Sequence, residues 1–361
     1  MVNRHIIRSL QIMLGVLLIL GLLTPSNLPV QAGVTSTIPK VGLITDGGPI
    51  DDSGFNQMAY EGLTRAENEG LIDGNTYIPT GDPDIDYAGA IEQCVSDGNA
   101  LCITVGFVMG DATMAAADTY PGVHFAIVDM TWEDSVYPAN LRGLFFAVDE
   151  AAYLAGTLAG MMSTTNCIGA IGGMSIPPVD DFIFPFTYAA QWADPGVAVL
   201  RDYADSFVDE ELGADLAEDQ ISRGADVIFG VGGMMGQGAV RRAAELGKYI
   251  IGVDSDVYLT AFDNGTAPGA DKVLTSVIKR VDNAVYHTIQ DQVNAEFSSG
   301  TTLCDLANGG VDLAPYHEAE AIIPPEVVDS INEVTNSIIN GTTDVWAPLW
   351  TSSIFLPMAQ R

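Results

Sequence analysis

From residue 41 onward, short apolar runs typical of buried strands alternate with segments that have helical periodicity. The first run covers residues 41–45, and others follow at residues 101–106 and 123–128. A second series of the same kind begins at Cys167 and continues to Asp254. Strands that alternate with helices predict a parallel, doubly wound sheet. Because the pattern occurs twice, the sequence predicts an α/β fold with two lobes of similar build and not a short-period repeat array.

The chain of 361 residues is long enough for two such lobes. We expect the first lobe to begin with residues 38–148 and the second with residues 149–273. In two-lobe binding folds the chain crosses between lobes more than once, and a ligand lies between them. We therefore expect residues from about 274 to 312 to return to the first lobe and residues 313–361 to complete the second.

Three further elements are predicted with a specific place or boundary. Residues 141–148 resemble an edge strand, and residues around 300–313 resemble a hairpin. The last helix is predicted from Pro325 to Ile339, because Pro324 and Pro325 stand at its start and Gly341 follows its end.

The first 32 residues have the layout of a secretory signal peptide. Arg4 and Arg8 precede an apolar run over residues 12–23, and Val30-Gln31-Ala32 supplies a small-x-small cleavage site. The run is short for a membrane span. We therefore expect export to the periplasm or to the outer face of the cell membrane, with an uncleaved N-terminal anchor as the alternative.

The charge of the chain is strongly acidic, with 14 Lys and Arg against 47 Asp and Glu, a net charge of −33. Proteins that bind nucleic acid or anionic membranes carry a basic footprint, so this composition argues against both partners. We interpret most of the acidic residues as a solvated surface.

Four cysteines in an exported chain permit two disulfides and three pairings. Cys94 and Cys102 are eight positions apart, across a predicted helix end and strand start, which favours a local bridge. Cys167 and Cys304 would form the remaining pair. A metal site is the weaker interpretation, because there is no CxxC motif and the histidines are scattered.

Aspartates close three of the predicted strands, at Asp46, Asp129 and Asp254. In open α/β sheets, ligands bind beyond the carboxyl ends of the strands, and carboxylates there can accept paired hydrogen bonds from sugar hydroxyls or from the N–H groups of a base. Each aspartate considered alone could equally be a helix cap or a turn residue.

Phe55, Asn56 and Phe207 stand near the starts of loops or helices in opposite predicted lobes. A single Phe is usually a core residue. If both rings face one cleft, however, they can hold a planar ring between them. Lys279 stands where the chain would re-enter the cleft, and it could donate to a ligand or form a surface salt bridge.

The run from Gly230 to Gly236 follows a predicted strand and opens a helix, as in dinucleotide-binding proteins. Its spacing is GxGxxxG, one residue longer than the dinucleotide fingerprint. An NAD-dependent dehydrogenase is therefore an alternative function. No GxSxG or HExxH motif is present, and we predict neither an enzyme nor a cofactor.

The same segments resemble the basic membrane protein family, the substrate-binding proteins of ABC importers that include a purine nucleoside receptor. The resemblance runs in order from about Lys40 to Val345 and is carried by DGGPIDDSGFNQ (46–57), FAIVD (125–129), YLAG (153–156), IGAIGG (168–173), SFVD (206–209), GADVI (224–228), IGVDSD (251–256) and TSVIK (275–279). Members of the family are commonly lipoproteins, whereas no cysteine follows the apolar run of this chain.

The resemblance implies a type I periplasmic-binding-protein fold, with two Rossmann-like lobes that close on a nucleoside, and a membrane permease as partner of a monomeric protein. By the resemblance, Phe55 and Phe207 would stack on the base. The other implied contacts are Asp46, Asn56 and Asp129 to the edges of the base, and Gly232, Gly233, Asp254 or Asp256, and Lys279 to the ribose. A sugar-binding protein and a ligand sensor of the same fold are the remaining alternatives.

Overall fold

The computed structural model describes residues 38–80 and 86–346. The predicted signal peptide and the last residues of the predicted second lobe, 347–361, lie outside these residues. In chain order the strands are β1 (Val41–Thr45), β2 (Asn75–Pro79), β3 (Leu101–Val105), β4 (His124–Val128), β5 (Leu141–Phe146), β6 (Cys167–Gly172), β7 (Ala198–Tyr203), β8 (Val227–Val231), β9 (Tyr249–Asp254), β10 (Val273–Lys279), β11 (Gly300–Cys304) and β12 (Val311–Leu313). The α-helices are α1 (Phe55–Asn68), α2 (Tyr87–Ser96), α3 (Gly110–Thr119), α4 (Val148–Met162), α5 (Pro177–Ala193), α6 (Glu210–Ser222), α7 (Gly233–Glu245), α8 (Val281–Val293) and α9 (Pro325–Ile339).

The strands form two six-stranded sheets. The first sheet has the order β11-β5-β4-β3-β1-β2, and all its pairs are parallel. The second has the order β12-β10-β9-β8-β6-β7, and only β12 pairs in antiparallel fashion. Every residue of β1, β3 and β8 is buried, as expected of central strands covered on both faces by helices. The predicted α/β fold with two parallel sheets is confirmed.

Three predicted placements differ from the structure. Strand β5 lies between β4 and β11 and is not an edge strand. Strand β10 pairs with β9 in the second sheet, although residues from 274 onward were expected in the first lobe. The predicted hairpin is absent because β11 joins the first sheet and β12 the second. The turn between them is held by hydrogen bonds between Asp305 and Asn308, and it carries the chain from one sheet to the other.

The local sequence explains where α9 begins and ends and how closely α4 and α5 pack. Helix α9 spans the predicted residues, with proline at its first position and Gly341 just beyond its end at φ +68°. Helices α4 and α5 pack closely because α4 presents small residues to its neighbour. A Cβ atom on Gly156 would lie 2.2 Å from the backbone oxygen of Phe186.

Of the two predicted disulfides, the structure contains one. Cys94 and Cys102 are bonded and tie α2 to β3. Cys167 and Cys304 are free thiols, so the second predicted pair is wrong. The reason is the fold: Cys167 begins β6 in the second sheet, whereas Cys304 ends β11 in the first.

Candidate ligand-binding site

A cavity of about 410 Å³ lies at the carboxyl ends of strands from both sheets. This volume is in the range of small-molecule sites, ~300–1,000 Å³. Of the predicted ligand-binding residues, those that line the cavity are Asp46, Phe55, Asn56, Asp129, Phe207, Gly232, Gly233, Asp254 and Lys279. The exception is Asp256, which does not line it. The structure therefore brings side chains that are distant in sequence to one place.

Two of the strand-ending aspartates lie at the cavity wall, where Asp254 is buried and Asp46 is half-buried. Burial, with the nearby Asp129 carboxylate as the second cause, raises the pKa of Asp46 to about 7. Burial also raises the pKa of Asp254 to about 7, while the Lys279 ammonium acts against the shift. Each of these two carboxyl groups can therefore gain or lose a proton near neutral pH. Each can donate a hydrogen bond to a ligand when it is protonated and accept one when it is ionised.

Asp129 and Asp254 both have left-handed backbone conformations, with φ of 67° and 68°. Aspartate tolerates this region better than most residues, but the conformation still carries strain. It occurs here at equivalent points, directly after β4 and at the end of β9. The matching strain at two walls of one cavity indicates a functional role for both side chains.

Lys279 ends β10, and its ammonium donates to Oδ2 of Asp129. The side chains of Lys279 and Asp129 are 3% and 11% exposed, so this is a buried ion pair and not the surface salt bridge that the sequence left open. The ammonium also lies 4.7 Å from the ring centroid of Phe55, a distance at which cation–π attraction operates. Lys279 thus links the acidic wall of the cavity to the aromatic one.

The turn before α1 is organised by Asp52, a residue that the sequence analysis did not single out. Its carboxylate accepts hydrogen bonds from the backbone N–H groups of Gly54, Asn56 and Gln57, at 2.9, 3.0 and 3.1 Å. An aspartate just before a helix is a capping signal that could have identified it. The cap fixes the first turn of α1, which presents Phe55 and Asn56 to the cavity.

The Asn56 side chain has an unused acceptor. The residue is 4% exposed, and among the described residues its Oδ1 atom has no hydrogen-bond partner. A buried acceptor without a partner costs free energy unless something binds to it. Its position at the cavity wall makes it available to a hydrogen-bond donor on a ligand.

The glycine-rich run of residues 230–236 supports Phe207. A Cβ atom on Gly232, which has φ +123°, would lie 3.0 Å from the ring of Phe207, and one on Gly173 would lie 2.4 Å from it. The backbone oxygen of Phe207 in turn accepts from Met235 N at 3.1 Å. The glycines therefore allow an aromatic ring to pack against the backbone, which explains a run that resembled a dinucleotide motif.

Phe55 belongs to α1 beside the first sheet, whereas Phe207 precedes α6 beside the second, and both rings line the same cavity. The cavity also has lining residues that the sequence analysis missed, among them Tyr87, Phe107, Met174, Phe182 and Asp205. Phe107, Met174 and Asp205 each lie two residues after the end of a strand, and this position is the signal that could have identified them. Tyr87 and Phe182 lie on helices, so only the fold reveals them.

Asp256 is directed to another partner. Its Oδ2 lies 2.7 Å from Nε2 of His317, and its Oδ1 accepts from Tyr258 N at 3.2 Å. The ring of His317 stacks on Tyr258 with centroids 4.0 Å apart. The chain has turned away from the cavity after Asp254, so of the two candidates for a sugar contact only Asp254 lies at the site.

Within residues 38–80 and 86–346, no three side chains of His, Cys, Asp or Glu come together as a candidate metal site. Across the same ranges, none of the helices combines the length and the hydropathy needed to cross a lipid bilayer.

Comparisons of this chain with a family model, with related sequences and with solved structures agree with one another. The family model of PnrA-like ABC transporter substrate-binding proteins (Bmp) matches residues 38–347. The ABC transporter nucleoside-binding protein BmpA of Lactococcus lactis is 31% identical over 327 residues, which cover 87% of this chain and 91% of that protein. Basic membrane protein A of Borreliella burgdorferi is 32% identical over 314 residues, covering 86% of this chain and 88% of the relative. Among solved structures, a solute-binding protein of an ABC transporter system from Aeropyrum pernix K1 aligns with a TM-score of 0.75 at 24% identity, over 85% of this chain and 92% of that one.

Proposed function

The chain belongs to the family of PnrA-like ABC transporter substrate-binding proteins, and from this premise we propose that it binds a nucleoside, with a purine base, in the cavity between its two sheets. Substrate-binding proteins of this family capture a small molecule for a membrane permease and are not enzymes. The predicted absence of catalysis therefore agrees with the family.

The observation that carries the proposal is that Phe55 and Phe207, from opposite sheets, line one cavity together with buried carboxylates. A planar base between two aromatic faces is stabilised by stacking and by removal of apolar surface from water. The name of the Lactococcus lactis relative supports the same ligand class.

We assign each polar contact from the place of its side chain around the cavity. Asp46, Asn56 and Asp129 address the edges of the base, where the free Oδ1 of Asn56 accepts one of its donors. Asp254, Lys279 and the turn at Gly232–Gly233 hold the ribose. A carboxylate near its pKa suits a ribose hydroxyl, because it can accept a hydrogen bond without a full desolvated charge.

In this proposal the two lobes are discontinuous. The first contains β1 to β5, α1 to α3, α8 and β11, since α8 packs on α1. The second contains β6 to β10, β12, α4 to α7 and α9, since α9 packs on α4. Closure of the lobes on the ligand desolvates the base. The chain is exported and monomeric and presents its ligand to the permease.

Calorimetry with adenosine, guanosine, the free bases, ribose and NAD tests the ligand class. We expect purine nucleosides to bind and ribose alone and NAD not to bind. Phe55→Ala and Phe207→Ala should each weaken nucleoside binding by roughly fivefold or more, because stacking on one aromatic ring is worth ~1–3 kcal/mol. Phe297→Ala is the matched control, because that ring lies outside the cavity and stacks on His124 at 4.2 Å. Binding of a sugar with no response to nucleosides would contradict the proposal.

A second pair of variants separates the sugar contact from the base contact. Asp254→Asn should weaken ribonucleosides more than free bases, because a site that pairs sugar hydroxyls loses that pairing. Asp256→Asn, two residues further on and outside the cavity, should not discriminate between them. Equal losses of nucleoside and free base in Asp254→Asn would remove Asp254 from the sugar site.

A further inference from the structure

A second chamber of about 210 Å³ adjoins the main cavity. The two share Phe107, Asp129, Pro178 and Lys279 at their boundary. Beyond this boundary the chamber is mostly apolar and aromatic, with Phe145, Phe146 and Val148 among its walls. A ligand in the main cavity can therefore extend a substituent past Asp129 and Lys279 into this chamber.

Asp181, from the beginning of α5, lines the second chamber but not the main cavity. Among the residues that the structure describes, it has neither a hydrogen-bond nor an ion-pair partner. The acidic groups around it are all engaged. Asp129 accepts from Lys279, Asp149 accepts from Trp346, and Asp180 accepts from Tyr203 and Ser175. Asp181 is thus the carboxylate in this group that the protein leaves without a donor.

The charges that act on Asp181 come from four parts of the fold. The carboxylates of Asp149 on α4, Asp180 on α5 and Asp129 after β4 oppose its ionisation, and only Lys279 on β10 favours it. Burial is the largest cause, and together these groups raise the pKa of Asp181 to about 7. Lys279 is already paired with Asp129. The chamber therefore has an excess of negative charge that an added cation would offset.

The aromatic walls favour the same kind of group. The Lys279 ammonium lies 5.3 Å from the ring centroid of Phe146, so the ring already stabilises one cation at the boundary of the chamber. A second ammonium, placed between Asp181 and the rings of Phe107 and Phe145, would receive both a charge-assisted hydrogen bond and cation–π attraction. An anionic group would meet only the carboxylates.

We propose that the second chamber is a specificity subsite for a protonated amino group carried by the ligand, with Asp181 as its acceptor. The inference rests on the proposed function, because the ring of that ligand lies in the main cavity. The substrate class is then an aminated, cationic nucleoside. The chamber borders both Asp129, assigned to the base, and Lys279, assigned to the sugar, so the amine can extend from either end of the ligand.

Calorimetry with matched probes tests the subsite at neutral pH. One pair is 5′-amino-5′-deoxyadenosine against adenosine, and the other is N6-(2-aminoethyl)adenosine against N6-propyladenosine. In each pair a protonated amine replaces a neutral group of similar size. We expect one of the aminated probes to bind roughly tenfold more tightly than its neutral counterpart, as hydrogen bonds between charged groups are among the stronger ones.

Two variants test whether Asp181 is the source of the higher affinity for the aminated probe. In Asp181→Asn the ratio of the two affinities within the responding pair should fall close to one. Asp73→Asn removes an equal charge from an exposed position just before β2, at the amino ends of the strands and so on the opposite side of the sheet from the chamber, and it should keep the ratio of the wild type. The wild-type ratio is informative even if a variant fails to fold.

The outcomes separate the two proposals. If adenosine binds but neither amine improves binding, or if the gain persists in Asp181→Asn, the subsite is overturned and the proposed function stands. If neither adenosine nor any other nucleoside binds, the proposed function fails and the subsite fails with it.

Discussion

Ser255 donates a hydrogen bond of 2.6 Å from its hydroxyl to the backbone oxygen of Ser53. Ser255 directly follows β9 of the second sheet, and Ser53 lies in the turn before α1, beside the first sheet. In a second hydrogen bond of the same kind, the side-chain amide of Gln237, on α7, donates to the backbone oxygen of Asp52. The second sheet and its helices thus hold the turn that presents Asp52, Phe55 and Asn56, although neither Ser255 nor Gln237 lines the main cavity.

We predict that these two bonds stabilise the closed arrangement of the lobes. Ser255→Ala and Gln237→Leu should each weaken nucleoside binding about two- to tenfold, because a buried hydrogen bond contributes ~0.5–1.5 kcal/mol. The loss should appear mainly as faster dissociation in stopped-flow measurements, since the ligand contacts themselves remain. Small-angle scattering of the variants with ligand should show a larger radius of gyration.

The control for these variants is Ser222→Ala, because within the described part of the chain the Ser222 hydroxyl donates only to the backbone oxygen of Asp219 in its own helix. It should leave affinity and dissociation unchanged. If Ser255→Ala and Gln237→Leu bind and release the nucleoside as the wild type does, the two bonds do not contribute to closure.

The buried pair of Lys279 and Asp129 leads to a prediction on stability. Lys279→Met should lower the free energy of unfolding by about 3–5 kcal/mol, because it leaves the Asp129 carboxylate buried without a counterion. The double variant Lys279→Met/Asp129→Asn removes both charges and should recover most of the loss. Urea unfolding followed by circular dichroism measures all these free energies. Additive losses in the double variant would show that the pair is not coupled.

Much of the site could be predicted because it depends on one general property of parallel sheets. Residues that follow neighbouring strands meet at the same sheet edge, so Asp46, Asp129 and Asp254 could be placed together before the strand order was known. Phe55, Asn56 and Phe207 could also be named from the sequence, and the resemblance to a family added their roles toward the base. The failure at Asp256 has a local cause, since the residues after β9 form a turn in which alternate side chains no longer share a face.

What the sequence did not reveal depends on tertiary pairing. Whether β11 and β12 form a hairpin or join different sheets is decided by the partners β5 and β10, which lie far away in the chain. Asp181 sits within a helix, where neither a strand end nor a motif identifies it. Its lack of a donor becomes visible only when the neighbours from α4, β4 and β10 are in place.

The raised pKa values of Asp46 and Asp254 predict how stability depends on pH without ligand. Both values are about 7 in the folded protein, against a model value of 3.8. Between pH 3.8 and about pH 7, these two carboxyl groups bind more protons in the folded state than in the unfolded state. The stability that they contribute therefore falls as pH rises and is greatest below the unfolded pKa. The melting temperature should therefore fall by at least about 3 °C from roughly pH 5 to roughly pH 8.

Asn substitutions test this assignment, because asparagine has a similar shape and does not titrate. Asp46→Asn and Asp254→Asn should each flatten the profile of melting temperature against pH, and the double variant should flatten it further. If the double variant reproduces the slope of the wild type, other groups are responsible for the dependence.

The bridge between Cys94 and Cys102 closes a short loop, with a sequence separation of 8. Loop-closure entropy for this length gives a stabilisation of about 2.5 kcal/mol. Cys94→Ala/Cys102→Ala should lower the free energy of unfolding by about this amount in urea titrations. Retained stability in the double variant would mean that the unfolded chain is already compact in this region.

Gly42 on β1 should be coupled to the same bridge. A Cβ atom on Gly42 would lie 2.2 Å from Sγ of Cys94, so Gly42→Ala overpacks the oxidised protein and should cost about 1–3 kcal/mol. Removing both sulfurs opens this space, and the next atom in order of distance is Nδ2 of Asn99, at 3.0 Å. Gly42→Ala should therefore cost less in the Cys94→Ala/Cys102→Ala background. A double-mutant cycle measures the difference, and equal costs in the two backgrounds would show that the conformation of β1, and not the disulfide, requires glycine at this position.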